Sequence, residues 1–75
     1  MKLYTTVTIM STDTGYANAD VKLFKDSSSA TQSANNDIDR YAREYQGIVT
    51  DRSRNYYIMK SDLMTVKIKI EEHEI

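Results

Sequence analysis

Apolar residues between Asp26 and Gly47 recur at spacings of three and four, which is the pattern of an amphipathic helix with one face on a core. The stripe consists of Ala30, Ala34, Ile38, Tyr41, Ala42 and Tyr45. Asp26 and the serines after it can accept hydrogen bonds from the free N–H groups of a first turn. Gly47 can adopt the left-handed conformation that ends a helix. We therefore predict one helix in this segment.

Two strands are predicted before the helix, because apolar and polar residues alternate there. In residues 3–10, the side that we expect to face the core carries Leu3, Val7 and Ile9. In residues 19–25, we expect Val21 and Leu23 to point inward and Lys22 to point outward. Phe24 interrupts the polar side of this second strand, and we expect it to pack beneath the start of the helix.

Three more strands are predicted after the helix, at residues 48–50, 56–60 and 63–71, and short turns join them as in an antiparallel meander. The last strand alternates most clearly: one side carries Met64, Val66, Ile68 and Ile70, and the other carries Thr65, Lys67, Lys69 and Glu71. The predicted fold class is α+β, with a single helix on one face of a four- to five-stranded antiparallel sheet in the order ββαβββ. The other face stays open, and residues 1–75 form one domain.

Composition narrows the classes of function. The chain of 75 residues has a formal net charge of −1, which argues against a strongly basic nucleic-acid binder. It has no cysteine, so we expect neither disulfides nor thiolate metal sites, and a reducing compartment such as the cytoplasm is favoured. No apolar run has the length of a signal peptide or a membrane span, so we expect a soluble, unprocessed chain without membrane contact.

One tripeptide has a catalytic precedent. Asp13-Thr14-Gly15 resembles the Asp-Thr-Gly motif of aspartic proteases, whose small homodimeric members pair one aspartate from each subunit. Met10-Ser11-Thr12 departs from the apolar pair that precedes the motif in that family, and no glycine-rich flap follows. The resemblance covers three of the 75 residues, so a small hydrolase that uses Asp13 is the most remote alternative.

Other catalytic and cofactor classes lack a residue pattern. His73 is the only histidine and lies among glutamates near the end of the chain, too few groups for a closed metal site. With two glycines in the chain, neither a phosphate-binding P-loop nor the dinucleotide fingerprint can form. We therefore expect no enzyme activity, no metal and no cofactor.

Tyrosines beside arginines are the main candidate for a binding surface. Tyr56 and Tyr57 are neighbours in a strand, so one faces the core and the other the open side, and both remain candidates at this point. Such a cluster suits a protein interface or a stacking site for bases. The candidate binding residues are Arg40, Arg43, Arg52, Arg54, Tyr56, Tyr57, Lys67 and Lys69.

The favoured function is non-catalytic contact with another protein, including a homodimer through the open sheet face. In size and texture the chain is similar to accessory and inhibitor proteins of phages and mobile elements, such as anti-CRISPR proteins. The main alternative is a nucleic-acid or nucleotide binder that uses the arginines and one of the two strand tyrosines.

Overall fold

A computed structural model, which describes residues 1–15 and 17–75, contains one helix and five strands in the order ββαβββ. The elements are β1 (Lys2–Thr12), β2 (Ala17–Phe24), α1 (Ser27–Glu44), β3 (Ile48–Arg52), β4 (Tyr56–Lys60) and β5 (Met64–Glu74). The strands form one antiparallel sheet in the order β2-β1-β5-β4-β3, and α1 packs on one face. The predicted fold class is thus confirmed. Tyr16, for which the sequence leaves open any functional role, lies outside the described residues.

The apolar stripe of α1 faces the sheet as predicted. Ala30, Ala34 and Ile38 are fully buried, and Tyr41 and Ala42 are partly buried against the same core. Tyr45 is the exception, because it lies just after the helix with 39% of its surface exposed. Its ring stacks on that of Tyr41 with the centroids 6.3 Å apart. The small alanines bring the helix backbone close to the strands beneath it.

Asp26 caps the N-terminus of α1, as the sequence predicts. Its carboxylate accepts a hydrogen bond from the Ser29 backbone N–H at 2.7 Å. This bond lowers the pKa of Asp26 below its usual value, because it stabilises the charged form of the carboxyl group. The cap also satisfies one of the N–H groups that the first helical turn leaves free.

The C-terminus of α1 differs from the prediction by one residue. Gln46, not Gly47, takes the left-handed conformation, with φ of 53°. The Gly47 N–H donates to the Ala42 carbonyl at 2.9 Å, which is the six-to-one hydrogen bond of a Schellman motif. Gly47 is needed for space, since a Cβ there would lie 2.8 Å from the Lys60 carbonyl oxygen and also meet the Met59 sulfur.

Strands β4 and β5 supply most of the sheet's contribution to the core. Their buried side chains are Tyr57, Met59, Val66, Ile68 and Ile70. Burying an aliphatic side chain of this size stabilises a fold by about 1.5–3 kcal/mol. The alternation predicted for the last strand is therefore observed, and its apolar side is the face of the sheet that α1 covers.

The orientation predicted for β1 is wrong. Thr6 and Thr8 are the residues buried under α1, with 1% and 5% of their surface exposed. The register pairs them with Ile70 and Ile68, which fixes them to the core side of the sheet. Because side chains alternate along a strand, the apolar set of β1 lies on the open face, and it comprises Leu3, Val7 and Ile9.

The orientation predicted for β2 is wrong for the same reason. Val21 pairs with Val7 across the ladder, so it lies on the open face with 60% of its surface exposed, and Leu23 follows with 65%. Lys22 lies on the helix side, where its ammonium group is 2.9 Å from the Asp37 carboxylate. Phe24 packs partly buried against the core, as predicted.

We predict that Thr6→Val raises the unfolding free energy of the protein. The Thr6 hydroxyl is buried, and no described group hydrogen-bonds with it. Replacing it with a methyl group of similar shape removes the cost of an unsatisfied hydroxyl, for a gain of about 1 kcal/mol in unfolding free energy. Urea unfolding monitored by circular dichroism measures the change. Thr65→Val is the control, because Thr65 lies on the open side of β5; equal gains for both variants contradict the prediction.

We predict opposite effects at the two residues that end α1. Gln46→Gly should stabilise the protein by about 0.5–1 kcal/mol, because glycine adopts the left-handed conformation without the strain of a Cβ. Gly47→Ala should destabilise it by about 1–3 kcal/mol, because the added methyl group would collide with the Lys60 backbone. The same unfolding assay measures both. A destabilised Gln46→Gly or a neutral Gly47→Ala would contradict the assignment.

Candidate functional site

None of the described elements covers the sheet face opposite α1, and the half of this face formed by β1 and β2 is mainly apolar. Val21 and Leu23 are more than half exposed, and Ile9 is 46% exposed. Val7 lies directly opposite Val21 in the ladder, which makes the surface continuous across the two strands. We call this surface the open-face patch, and it consists of Leu3, Val7, Ile9, Val21 and Leu23.

A row of polar and charged side chains on β5 flanks the open-face patch. Lys67 and Lys69 lie directly opposite Ile9 and Val7 of β1, and His73 lies opposite Leu3. The Lys69 ammonium is 3.5 Å from a carboxylate oxygen of Glu71. The His73 Nε2 atom is within hydrogen-bonding distance of the Thr5 hydroxyl, at 2.8 Å. The patch thus has a charged border on one side and the edge of β2 on the other.

The two neighbouring tyrosines of β4 point to opposite faces. Tyr57 is 2% exposed in the core, and its hydroxyl accepts a hydrogen bond from the Asn35 side-chain amide at 3.3 Å. Tyr56 is partly exposed on the open face, opposite Lys69 of β5. Tyr57, which the sequence places among the surface candidates, is therefore a core residue, and Tyr56 is the tyrosine that a partner can reach.

Two of the candidate arginines are bound to helix carboxylates. Arg52 on β3 reaches across to α1, where its guanidinium donates to the Asn35 side-chain oxygen and to Asp39 at 2.6 Å. Arg40 lies 3.7 Å from Asp37, and its guanidinium carbon is 4.9 Å from the centroid of the Tyr41 ring. Both arginines are more than 40% exposed, although Asp37 is 14% exposed, so each pair contributes little to stability. The two pairs offset the positive charge on this side of the molecule.

The remaining candidate residues lie in separate places. Arg43 is exposed in the last turn of α1. Arg54 lines a polar cleft of 260 Å³ beside Ser27, near the first turn of the helix. Lys67 and Lys69 share the open face with Tyr56. The structure therefore brings these last three together but does not gather all eight predicted residues into one surface.

The groups considered for catalysis and metal binding lie in exposed surroundings. Asp13 is in an exposed turn that Gly15 closes, with φ of 91° and a hydrogen bond from its N–H to the Thr12 carbonyl. Among the described residues, no three His, Cys, Asp or Glu side chains are grouped so as to hold a metal ion.

A further cleft of 510 Å³ lies near the C-terminus of α1, beside Tyr45 and Leu63.

Comparison with protein-family models, curated proteins and solved structures finds no match for this chain. Within the described part of the chain, no helix is long and apolar enough to cross a membrane. Function must therefore be inferred from the residues and their geometry.

The open-face patch is the feature that sequence reasoning missed, although β2 contains a signal for it. Phe24 and Lys22 are two residues apart and share one face of the strand, while Val21 and Leu23 share the other. An aromatic Phe24 beneath the helix therefore requires Leu23 to face away from it. Phe24 beneath the helix and Leu23 facing the core are thus incompatible predictions for β2, and in the structure Phe24 packs against the core.

We predict that the two tyrosines of β4 differ sharply in their effect on stability. Tyr57→Ala should lower the unfolding free energy by about 3–5 kcal/mol, because it empties a fully buried aromatic site and leaves Asn35 without one of its partners. Tyr56→Ala should cost about 1 kcal/mol or less, because its side chain lies on the open face. Denaturant unfolding of the two variants provides the comparison, and similar losses would contradict the assignment of faces.

Proposed function

We propose that this protein is a non-catalytic binding module that contacts another protein through the open face of its sheet. The observation that carries the proposal is the open-face patch, where Val21 and Leu23 are more than half exposed and Ile9 is 46% exposed, beside a charged strand. Contiguous exposed apolar surface with a polar border is typical of protein interaction sites. Scattered single apolar residues would not support this conclusion, but these lie on adjacent positions of two paired strands.

The energetics favour a contact that extends beyond the open-face patch. Covering the exposed parts of Ile9, Val21 and Leu23 would contribute about 3–5 kcal/mol, since these residues are 46%, 60% and 65% exposed. Association costs about 4–15 kcal/mol in lost translational and rotational freedom. The partner must therefore also contact the neighbouring strands, where Tyr56 provides an aromatic side chain of the kind enriched in interfaces.

The chemistry of the face defines the partner. It would present aliphatic side chains opposite the open-face patch and carboxylates opposite Lys67, which borders Ile9. An accessory or inhibitor protein of a phage or mobile element, such as an anti-CRISPR-like protein, would act through a surface of this kind. We propose the cytoplasm as its compartment, because a chain without cysteine suits a reducing environment.

The nucleic-acid alternative has weaker support. Arg40 and Arg52 are both paired with helix carboxylates, and the formal net charge of the chain is −1. Binding to phosphates depends strongly on free positive charge and weakens as salt rises. Salt-dependent binding to an oligonucleotide at low ionic strength would favour this alternative over the protein-binding proposal.

Affinity capture from the native host with Ile9→Lys tests the proposal. Ile9 lies at the border between the open-face patch and Lys67, so a lysine there adds positive charge to a surface that should become buried. We expect a protein enriched by the wild-type chain to fall at least about tenfold with the variant in quantitative mass spectrometry.

Leu63→Lys is the matched control. Leu63 is 75% exposed between β4 and β5, beside the C-terminus of α1 and away from the open face, and undergoes the same change from an aliphatic side chain to a positive charge. Its captured proteins should match those of the wild type. Equal capture by Ile9→Lys and the wild type, or no enriched protein at all, would count against the open face as the binding surface.

A further inference from the structure

We propose that β2 is a self-pairing edge, at which two copies of this chain join antiparallel and extend the sheet across a two-fold axis at Val21. This inference goes beyond the proposed function, because it uses the main-chain groups along the edge of β2 and does not require the open face. A free strand edge presents unpaired N–H and C=O groups that can pair with another strand.

The two edges of the sheet differ in how well they suit pairing. β3 has five residues, and its register with β4 shifts between Val49 and Asp51, which marks a bulge. Bulges and short strands are features by which proteins prevent edge pairing. β2 has eight residues, pairs with β1 in unbroken register from Ala17 to Phe24, and contains no proline. β2 therefore lacks the bulge and the short length that obstruct pairing at β3, and Lys22 is the charged side chain that an added strand would have to accommodate.

The charges on β2 select a second copy as the partner. With the axis at Val21, Asp20 lies opposite the partner's Lys22, and Lys22, which is also paired with Asp37 of its own chain, lies opposite the partner's Asp20. Opposite charges in facing positions stabilise a strand pair, and like charges destabilise it. The edge is thus complementary to its own antiparallel copy.

The same charges exclude the neighbouring registers. In an antiparallel pair, the side chains of residues that lie opposite each other point to the same face of the sheet. A two-fold axis perpendicular to the sheet must therefore pass through a residue position, and a change of register moves the axis to another residue. Moving the axis to Asp20 places two aspartates opposite each other, and moving it to Lys22 places two lysines opposite each other. The axis at Val21 is the arrangement that pairs each charge with its opposite.

The pairing also has a consequence for the open face. On that side, Val21 would lie beside the partner's Val21, and Leu23 would lie beside the partner's Ala19. The open-face patches of the two copies would then form one continuous surface with two-fold symmetry. About six main-chain hydrogen bonds would join the strands, as expected for an antiparallel pair of this length.

Single cysteine variants test the register, because the chain has no cysteine of its own. Val21→Cys places a thiol next to its own copy across the axis, and mild oxidation should give a covalent dimer. Leu23→Cys is the matched control, since Leu23 lies on the same face with a similar exposure of 65%. Its two copies would be about 13 Å apart along the strands, too far for a disulfide. Equal cross-linking of the two variants, or none with Val21→Cys, would overturn the register.

Charge reversal tests the pairing without cysteine. Asp20→Lys should raise the dimer dissociation constant about tenfold or more in sedimentation velocity, because it places like charges opposite each other. Asp62→Lys is the control, with the same change at an exposed residue between β4 and β5. Mixing Asp20→Lys with Lys22→Glu should restore association, because each variant then faces the opposite charge.

The results separate this inference from the proposed function. A wild-type chain that stays monomeric at millimolar concentration, or an Asp20→Lys variant that dimerises as well as the wild type, would overturn the edge pairing. Neither result bears on partner capture, which depends on Ile9. Conversely, cross-linking of Val21→Cys together with equal capture by Ile9→Lys would support the edge pairing and contradict the open-face proposal.

Discussion

The pairing of β1 with β5 is the constraint on which the rest of the structure depends. Val66, Ile68 and Ile70 of β5 lie under α1 and continue, with Met64, as an unbroken apolar row, whereas Thr5 interrupts the apolar row of β1. Once β1 pairs with β5, the residues opposite them are fixed to the same side, and these include Thr6 and Thr8. The strong pattern of one strand thereby determines the orientation of a neighbour whose own pattern favours the reverse.

The composition of the inner layer explains how this orientation is tolerated. Ala30 and Ala34 face the sheet from the helix, and Thr6 is buried beneath it, so small side chains meet where helix and sheet approach closely. Larger residues such as Tyr4 and Met10 lie farther along β1 and pack at the borders of the core. Placing bulky aliphatic residues of β1 under the helix would force the two layers apart, which is itself destabilising.

The sequence predicts the elements well and the faces of two strands poorly, and the reason is physical. The helix stripe and the alternation of β5 are local patterns, so each can be recognised without knowing its neighbours. The face of β1 depends on its pairing with a strand more than 60 residues away, as in Thr6 with Ile70, and that register is not written in β1 itself. The same holds for the tyrosines of β4. Their adjacent positions predict that Tyr56 and Tyr57 point to opposite faces, which is confirmed, but the pairing with β5 decides which of them faces the core.

The two errors of orientation point to function more directly than the correct predictions do. Hydroxyls under the helix and aliphatic side chains facing outward are the reverse of what stability favours. An exposed apolar face adds nothing to the stability of an isolated chain. In natural proteins, such a departure is therefore expected where a surface serves binding. The arrangement is coherent over two strands, since Val7 and Val21 face each other across the ladder and Ile9 borders Lys67. A face that is apolar over two paired strands and charged along the next has the composition of an interface, and the proposed binding function rests on this composition more than on the arginines and tyrosines of the sequence.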